Sequence, residues 1–111
     1  MDPASLIRVE HLENEHRFVA RVGGAVAYLA YRPVGDGVLD YASTFTPPEL
    51  RERHVASTIV RHALDYARNR GFKVIPTCWF VAGFVERHAE YAELIEQGDR
   101  GRQEATRDDS G

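Results

Sequence analysis

The sequence predicts a single α/β (α+β) domain with a mostly antiparallel sheet and one long crossover helix. Alternating apolar residues recur three times between residues 17 and 45, separated by turns rich in glycine or proline. Apolar residues then follow helical spacing from Val55 to Ala67. A short apolar stretch comes next, and a strand, helix, strand order favours a right-handed crossover to a parallel neighbour.

Four strands are expected in the first half of the chain. Gly23-Gly24 is typical of a hairpin turn, and residues 33–37 form a second turn with one proline and two glycines. Alternation of apolar residues on either side of these turns indicates antiparallel neighbours. The predicted strands are residues 7–12, 17–22, 25–32 and 38–45.

The second half predicts a long helix, a strand and a short helix pair. Pro47-Pro48 cannot continue a central strand and suits entry into a helix. Gly71 follows two arginines in the last turn, which is typical of a helix C-terminus. A buried strand is expected over residues 72–77. The helix pair is indicated by Phe80, Val81, Phe84 and Val85, followed by Tyr91, Leu94 and Ile95.

Composition fits one domain with one core. The chain has 111 residues, 43% of them hydrophobic and 28% charged. We expect the domain to span residues 7–96, with flexible residues 1–6 and a flexible charged tail at residues 97–111. The formal net charge of −3 disfavours a nucleic-acid partner, because phosphate contacts need a basic surface.

Several features favour a cytoplasmic protein without a metal. The single cysteine cannot form an internal disulfide, and the histidines show no metal-ligand spacing with it. No stretch contains the roughly 18 apolar residues that span a bilayer, and the first residues are polar rather than basic and apolar. We expect no membrane partner, and a monomer or weak dimer.

The strand expected before Cys78 contains a break in its pairing. Pro76 has no N–H to donate, so pairing should end on one side and leave a notch beside the thiol. Cys78 is then a nucleophile, a ligand contact or a small buried hydrophobic residue, and the residues alone leave these open.

An anion site is predicted near this notch. In a strand, helix, strand unit, the helix N-terminus lies at the carboxyl end of the first strand, and its unpaired N–H groups favour an anion. Residues 45–57 occupy that place, and the following parallel strand brings Cys78 to the same edge. An extended ligand with a phosphate at one end and amides in its middle would fit, and coenzyme A has that outline.

Five segments resemble the small, cysteine-containing branch of the GNAT acetyltransferase superfamily. The resemblance covers about residues 17–95, and its most specific part is Ile75-Pro76-Thr77-Cys78 before an aromatic helix start. It implies the compact GNAT fold, binding of acetyl-CoA, and acetyl transfer to an amine such as a protein lysine, an N-terminus or a small amine. The segments are residues 45–51, 55–57, 67–68, 71–78 and 86–91.

The resemblance also implies the site residues. Acetyl-CoA contacts are expected from the end of the fourth strand, the loop after it, the helix start and the cysteine. Backbone N–H groups near Phe45 and Thr46 would then receive the developing oxyanion. The implied acetyl-CoA contacts are Phe45, Thr46, Arg51, Arg53, His54, Val55, Ala56, Ser57 and Cys78.

The loop before the helix departs from the family pattern. The family usually shows Arg-Gly-x-Gly-x-Ala, whereas here residues 51–56 are Arg-Glu-Arg-His-Val-Ala, without either glycine. Glu52 and His54 would crowd the phosphates, while Arg51, Arg53 and protonated His54 would attract them. We expect coenzyme A binding to be weaker but retained; the alternative is that these three basic residues form a solvated helix entrance.

Catalytic roles remain open at three positions. Cys78 either takes the acetyl group or lies beside the thioester, since direct attack by the amine needs no protein nucleophile. Tyr91 and His88 are candidates to protonate the leaving thiolate or deprotonate the amine, although a tyrosine at an apolar helical position also suits the core. Four glutamates either attract a cationic amine or form a solvated helix face: Glu86, Glu90, Glu93 and Glu96.

The alternative to an enzyme is a non-catalytic module. A coenzyme A-binding or protein-interaction domain could keep the GNAT fold, and the altered loop at residues 51–56 is the feature that favours it.

Overall fold

The fold is one mixed sheet with helices packed on one of its faces. A computed structural model describes residues 7–51 and 54–96. Its strands are β1 (Val9–Leu12), β2 (Arg17–Val22), β3 (Ala25–Pro33), β4 (Val38–Phe45) and β5 (Lys73–Ile75). They pair in chain order, antiparallel from β1 to β4 and parallel between β4 and β5. The predicted fold class is confirmed.

The long helix joins the two parallel strands. Helix α1 (Val55–Arg70) ends at Gly71, whose φ of 73° is left-handed and favours glycine. Helix α2 (Trp79–Arg87) follows β5. The second member of the predicted helix pair is a 3₁₀ helix, Ala89–Leu94, and shorter 3₁₀ turns occupy Glu13–Glu15 and Pro48–Leu50.

One core lies between the sheet and the two α-helices. Alternate strand residues point toward α1, as the paired Phe18 and Leu29 show, and both are completely buried. α1 buries its apolar face against them, and α2 adds Val81 and Phe84 to the same cluster. Within the described ranges no helix covers the other sheet face, where Phe45 is 46% exposed.

The last strand is shorter than predicted. Instead of residues 72–77, β5 spans Lys73–Ile75 and pairs with β4 through three residue pairs that end at Asp40 and Ile75. Pro76 follows at once and has no N–H to extend the ladder. Cys78 therefore does not end a strand but lies at the N-cap position of α2.

The sequence was also expected to contain no membrane span, no metal site and two flexible terminal segments. No α-helix in the described ranges is both long and apolar enough to cross a membrane. Among the same residues no three or more His, Cys, Asp or Glu side chains cluster closely enough to hold a metal ion. The flexible segments predicted at residues 1–6 and 97–111 lie outside the described residues.

Tyr41→Phe should lower the free energy of unfolding by about 1 kcal/mol, because the buried hydroxyl loses its hydrogen bond. Tyr41 is fully buried, and its O–H donates to the Ala63 carbonyl of α1 across 2.6 Å. Urea unfolding would measure the loss. Tyr28→Phe on the uncovered sheet face is the control and should stay within about 0.5 kcal/mol of the parent. Equal stability of both variants would contradict this role of Tyr41.

Candidate functional site

A pocket of about 380 Å³ opens at the carboxyl end of β4, between the first turns of α1 and α2. It combines side chains from the strand end, the loop after it and both helix starts. Pockets of this size and of mixed polar and apolar character are typical of ligand sites. The pocket is lined by Thr44, Phe45, Thr46, Arg51, Ala56, Trp79 and Phe80.

The pocket exists because β4 and β5 diverge. Beyond the Asp40–Ile75 pair, the N–H of Cys78 donates to the Tyr41 carbonyl across 3.0 Å, and the chain then enters α2. On its other edge β4 contains a bulge at Ala42, which is left without a partner in β3. Bulges bend a strand and increase its twist, and they recur next to active sites.

Four of the residues predicted to contact acetyl-CoA line this pocket together: Phe45, Thr46, Arg51 and Ala56. Arg51 holds the loop in place, since its Nε donates to the Thr46 carbonyl across 3.0 Å. The others lie behind the pocket or elsewhere: Val55 is buried in the core, Ser57 is half-buried on α1, and Arg53 lies outside the described residues.

His54 adopts a backbone conformation that suits glycine. Its φ of 61° and ψ of 24° are left-handed, at the position where the family pattern has its second glycine. Its side chain does not cap α1, while its carbonyl accepts hydrogen bonds from the N–H and the hydroxyl of Thr58 at 3.1 and 2.8 Å. The loop thus keeps the left-handed turn and carries an imidazole on it.

Cys78 lies just behind the pocket wall. The residue is 7% exposed and belongs to the core cluster. Its Sγ is 3.6 Å from the hydroxyl oxygen of Thr44, which does line the pocket. The thiol is therefore one side chain away from the pocket interior.

Tyr91 and His88 do not line this pocket. The Tyr91 hydroxyl donates to Asp65 Oδ1 at 2.8 Å, and burial raises the pKa of Tyr91. His88 Nδ1–H donates to the Phe84 carbonyl at 2.8 Å, and its ring stacks on Phe84 with centroids 4.0 Å apart. Contacts with α1 and α2 outside the pocket hold both side chains. Their catalytic roles stay predictions.

Asp40 was not among the predicted site residues. Its side chain is 8% exposed, and Asp40 is the buried charged residue of the described ranges. Oδ1 accepts from the Thr77 hydroxyl at 2.5 Å, and Oδ2 accepts from Arg32 Nη2 at 2.9 Å. Asp40 is the charged residue of the predicted strand over residues 38–45, which was the available signal, and it lies where β4 and β5 separate.

Three pocket residues were not among the predicted acetyl-CoA contacts. Thr44 alternates with Phe45 on β4, and Phe80 belongs to an apolar helical pattern that indicated only the core. Trp79 is 82% exposed at the start of α2. An exposed tryptophan directly after the predicted notch was the signal for a ligand contact there.

His54→Gly should raise the free energy of unfolding by about 0.5–1 kcal/mol, because a left-handed residue other than glycine is strained. For a domain of this size this corresponds to an increase in Tm of several degrees. His54→Ala is the matched control, since it keeps the strain and removes the imidazole. Calorimetry should rank the glycine variant above both other proteins, and a lower Tm for His54→Gly would contradict the strain.

Comparison with known proteins places this arrangement in a family. A model described as GCN5-related N-acetyl-transferase matches residues 17–94. Protein NATD1 of Xenopus tropicalis is 32% identical over 100 residues, covering 86% of this chain and 92% of that protein. NATD1 of Homo sapiens is 31% identical over 94 residues, covering 81% of this chain and 83% of that protein.

A solved structure supports the fold independently. The NMR structure of a GCN5-like putative N-acetyltransferase from Staphylococcus aureus superposes with a TM-score of 0.64 at 21% identity. The match covers 80% of this chain and 87% of that chain, and at this identity it shows the fold alone. Because the family model spans well over half of the sequence and the curated relatives align nearly end to end, the chain belongs to the GCN5-related N-acetyltransferase family.

Proposed function

We propose that this protein is an N-acetyltransferase that uses acetyl-CoA to acetylate an amine. The observation that carries the proposal is the pocket at the separation of β4 and β5, which joins a gap between parallel strands to the start of α1. Membership of the family supports the reaction class. Acetyl-CoA supplies an acetyl group activated as a thioester.

The described residues fit such a ligand. The His54 side chain does not cap the first N–H groups of α1, which can face a pyrophosphate, and Arg51 adds a positive charge at the same place. Phe45, Trp79 and Phe80 provide apolar walls for the pantetheine arm. The unextended edge of β4 offers backbone groups to the amides of that arm.

Asp40 is our candidate for the general base. Leu39 and Tyr41 face the core, so alternation places the Asp40 carboxylate on the uncovered sheet face beside the strand separation. An ammonium arriving on that face can replace Arg32 at Oδ2, because the Arg32 side chain is 70% exposed. The carboxylate would hold the cation and take one proton, leaving a neutral amine.

The reaction then balances without a protein nucleophile. The amine nitrogen attacks the thioester carbonyl carbon, the C–N bond forms, the C–S bond breaks, and the second proton of the nitrogen ends on the leaving thiolate. We assign Cys78 a packing role beside the thioester, since its thiol is buried and hydrogen-bonded to Thr44. The aligned approach of amine and thioester provides most of the acceleration.

Arg51→Ala should weaken acetyl-CoA binding by about tenfold, because a charge-assisted contact with phosphate is lost. Isothermal titration would measure the change, and acetyl-CoA should raise the Tm of the parent protein. Arg51→Lys keeps the positive charge and should lose less affinity for acetyl-CoA than Arg51→Ala. Arg21→Ala removes an exposed arginine that pairs with Glu10 away from the pocket and should bind normally. No binding by the parent at millimolar acetyl-CoA would refute the site.

Asp40→Asn should lower kcat/KM by about 10²-fold while acetyl-CoA binding stays unchanged, because the amide cannot accept the proton. Release of free CoA thiol would be followed with lysine peptides, N-terminal peptides and small amines, and a melting curve would show that the variant folds. Cys78→Ala is the comparison variant and should stay within about tenfold of the parent.

Other outcomes separate the alternatives. Full activity of Asp40→Asn would show that Asp40 is not the general base. An inactive Cys78→Ala, with an acetylated Cys78 detected in the parent by mass spectrometry, would establish the covalent route. Binding of acetyl-CoA without thiol release from any amine would favour the non-catalytic module, which the His54 substitution in the loop also favours.

A further inference from the structure

A second pocket lies at the other end of the sheet. Its volume is about 230 Å³, and it shares no lining residue with the pocket assigned to acetyl-CoA. β4 contributes Leu39 to one and Phe45 to the other, which are separated by about 20 Å of extended strand. The second pocket is therefore distinct from the pocket assigned to acetyl-CoA.

Aromatic rings form much of its wall. Tyr31 from β3, Tyr66 from α1 and Phe72 after α1 all line it. The two hydroxyls are engaged: Tyr31 Oη is 2.5 Å from His11 Nε2, and the Tyr66 O–H donates to Glu13 Oε2 at 3.4 Å. Tyr66 and Phe72 meet edge to face with centroids 6.1 Å apart. A ligand here meets ring carbons rather than free phenol groups.

The charge at this pocket is suited to a cation. Glu13 is the acidic residue among those that line the pocket, and its side chain is 60% exposed. Arg70 of the protein itself contacts both Tyr66 and Glu13. Its guanidinium lies 4.9 Å from the Tyr66 ring centroid, and Nη2 is 3.9 Å from Glu13 Oε2. The ring and the carboxylate thus attract a cation in the protein itself.

We propose that this pocket binds an organic ammonium ion with small apolar substituents. The aromatic faces attract the cation, the apolar substituents displace water from the rings, and Glu13 supplies the counter-charge. A bare metal ion would find one carboxylate, and an anion would be repelled by it. A neutral apolar ligand would gain no attraction from the carboxylate or from the negative faces of the rings.

Choline and 3,3-dimethylbutan-1-ol are suitable probes, because they have nearly the same shape and differ in charge. Each would be titrated into ¹⁵N-labelled protein at pH 8, following the amides of Gly35, Gly37 and Phe72 around the pocket. Burial lowers the pKa of nearby His11 from its usual value of 6.5, so its imidazole carries no charge at this pH. Choline should bind about tenfold tighter than the alcohol.

Variants assign the contribution of each group. Glu13→Gln should weaken choline binding several-fold and leave the alcohol unchanged, and Phe72→Leu should weaken choline more than the alcohol. Arg70→Gln should tighten choline binding, because the internal competing cation is removed. Arg21→Gln, on the far side of β2, is the control and should change neither.

The proposal fails on any of three results. The first is equal or tighter binding of the neutral alcohol, and the second is no shift of these amides at tens of millimolar choline. The third is weaker choline binding by Arg70→Gln, since Arg70 would then be a structural part of the pocket. None of these results depends on acetyl transfer, because the readout is binding.

Discussion

The early end of pairing between β4 and β5 is the constraint on which the candidate site depends. Three residue pairs join the two strands, and Pro76, which cannot donate, stands directly after the last of them. A continuous parallel ladder would satisfy the edge of β4 with protein and leave no gap. Because the ladder stops, β4 ends as an open edge at the start of α1, and one ligand can contact both.

A gap in a sheet persists only if the strands on both sides are held. Tyr41 holds β4 in two directions: its hydroxyl donates to the Ala63 carbonyl of α1, and its own carbonyl accepts from the N–H of Cys78. On the opposite face of the sheet, the Thr77 hydroxyl donates to Asp40 and ties the chain after β5 to β4. These contacts bind the departing chain to β4 at Tyr41 and Asp40, so that the separation begins beyond them and not earlier.

The sequence predicted what local pattern determines, and missed what distant contacts determine. The hairpins and α1 follow from periodicity and from glycines such as Gly71, whose left-handed φ is a local requirement. The length of β5 depends instead on how far β4 accompanies it, and for this reason Cys78 was assigned to a strand end and lies at a helix start. Asp40 was missed for the same reason, because its partners Arg32 and Thr77 come from other strands and loops.

His54 has a left-handed backbone conformation although the glycine of the family motif is absent. The family pattern has glycine there, and the absence of glycine predicted a loop that crowds the phosphates. The structure keeps that φ with a histidine, a residue somewhat enriched in this region among non-glycine residues. The substitution therefore affects the space available to phosphate more than the direction of the chain.

The ligands proposed for the two pockets differ in charge, and α1 explains why one small domain can suit both. The N-terminal end of a helix carries a partial positive charge and its C-terminal end a partial negative charge. The pocket at Ala56 adjoins the first turn of α1, where a phosphate is stabilised, whereas Tyr66 brings the second pocket toward the last turns, where an ammonium is stabilised. Arg68 and Arg70 lie in that last turn. The polarity of one helix thus suits the anionic ligand proposed for one pocket and the cationic ligand proposed for the other.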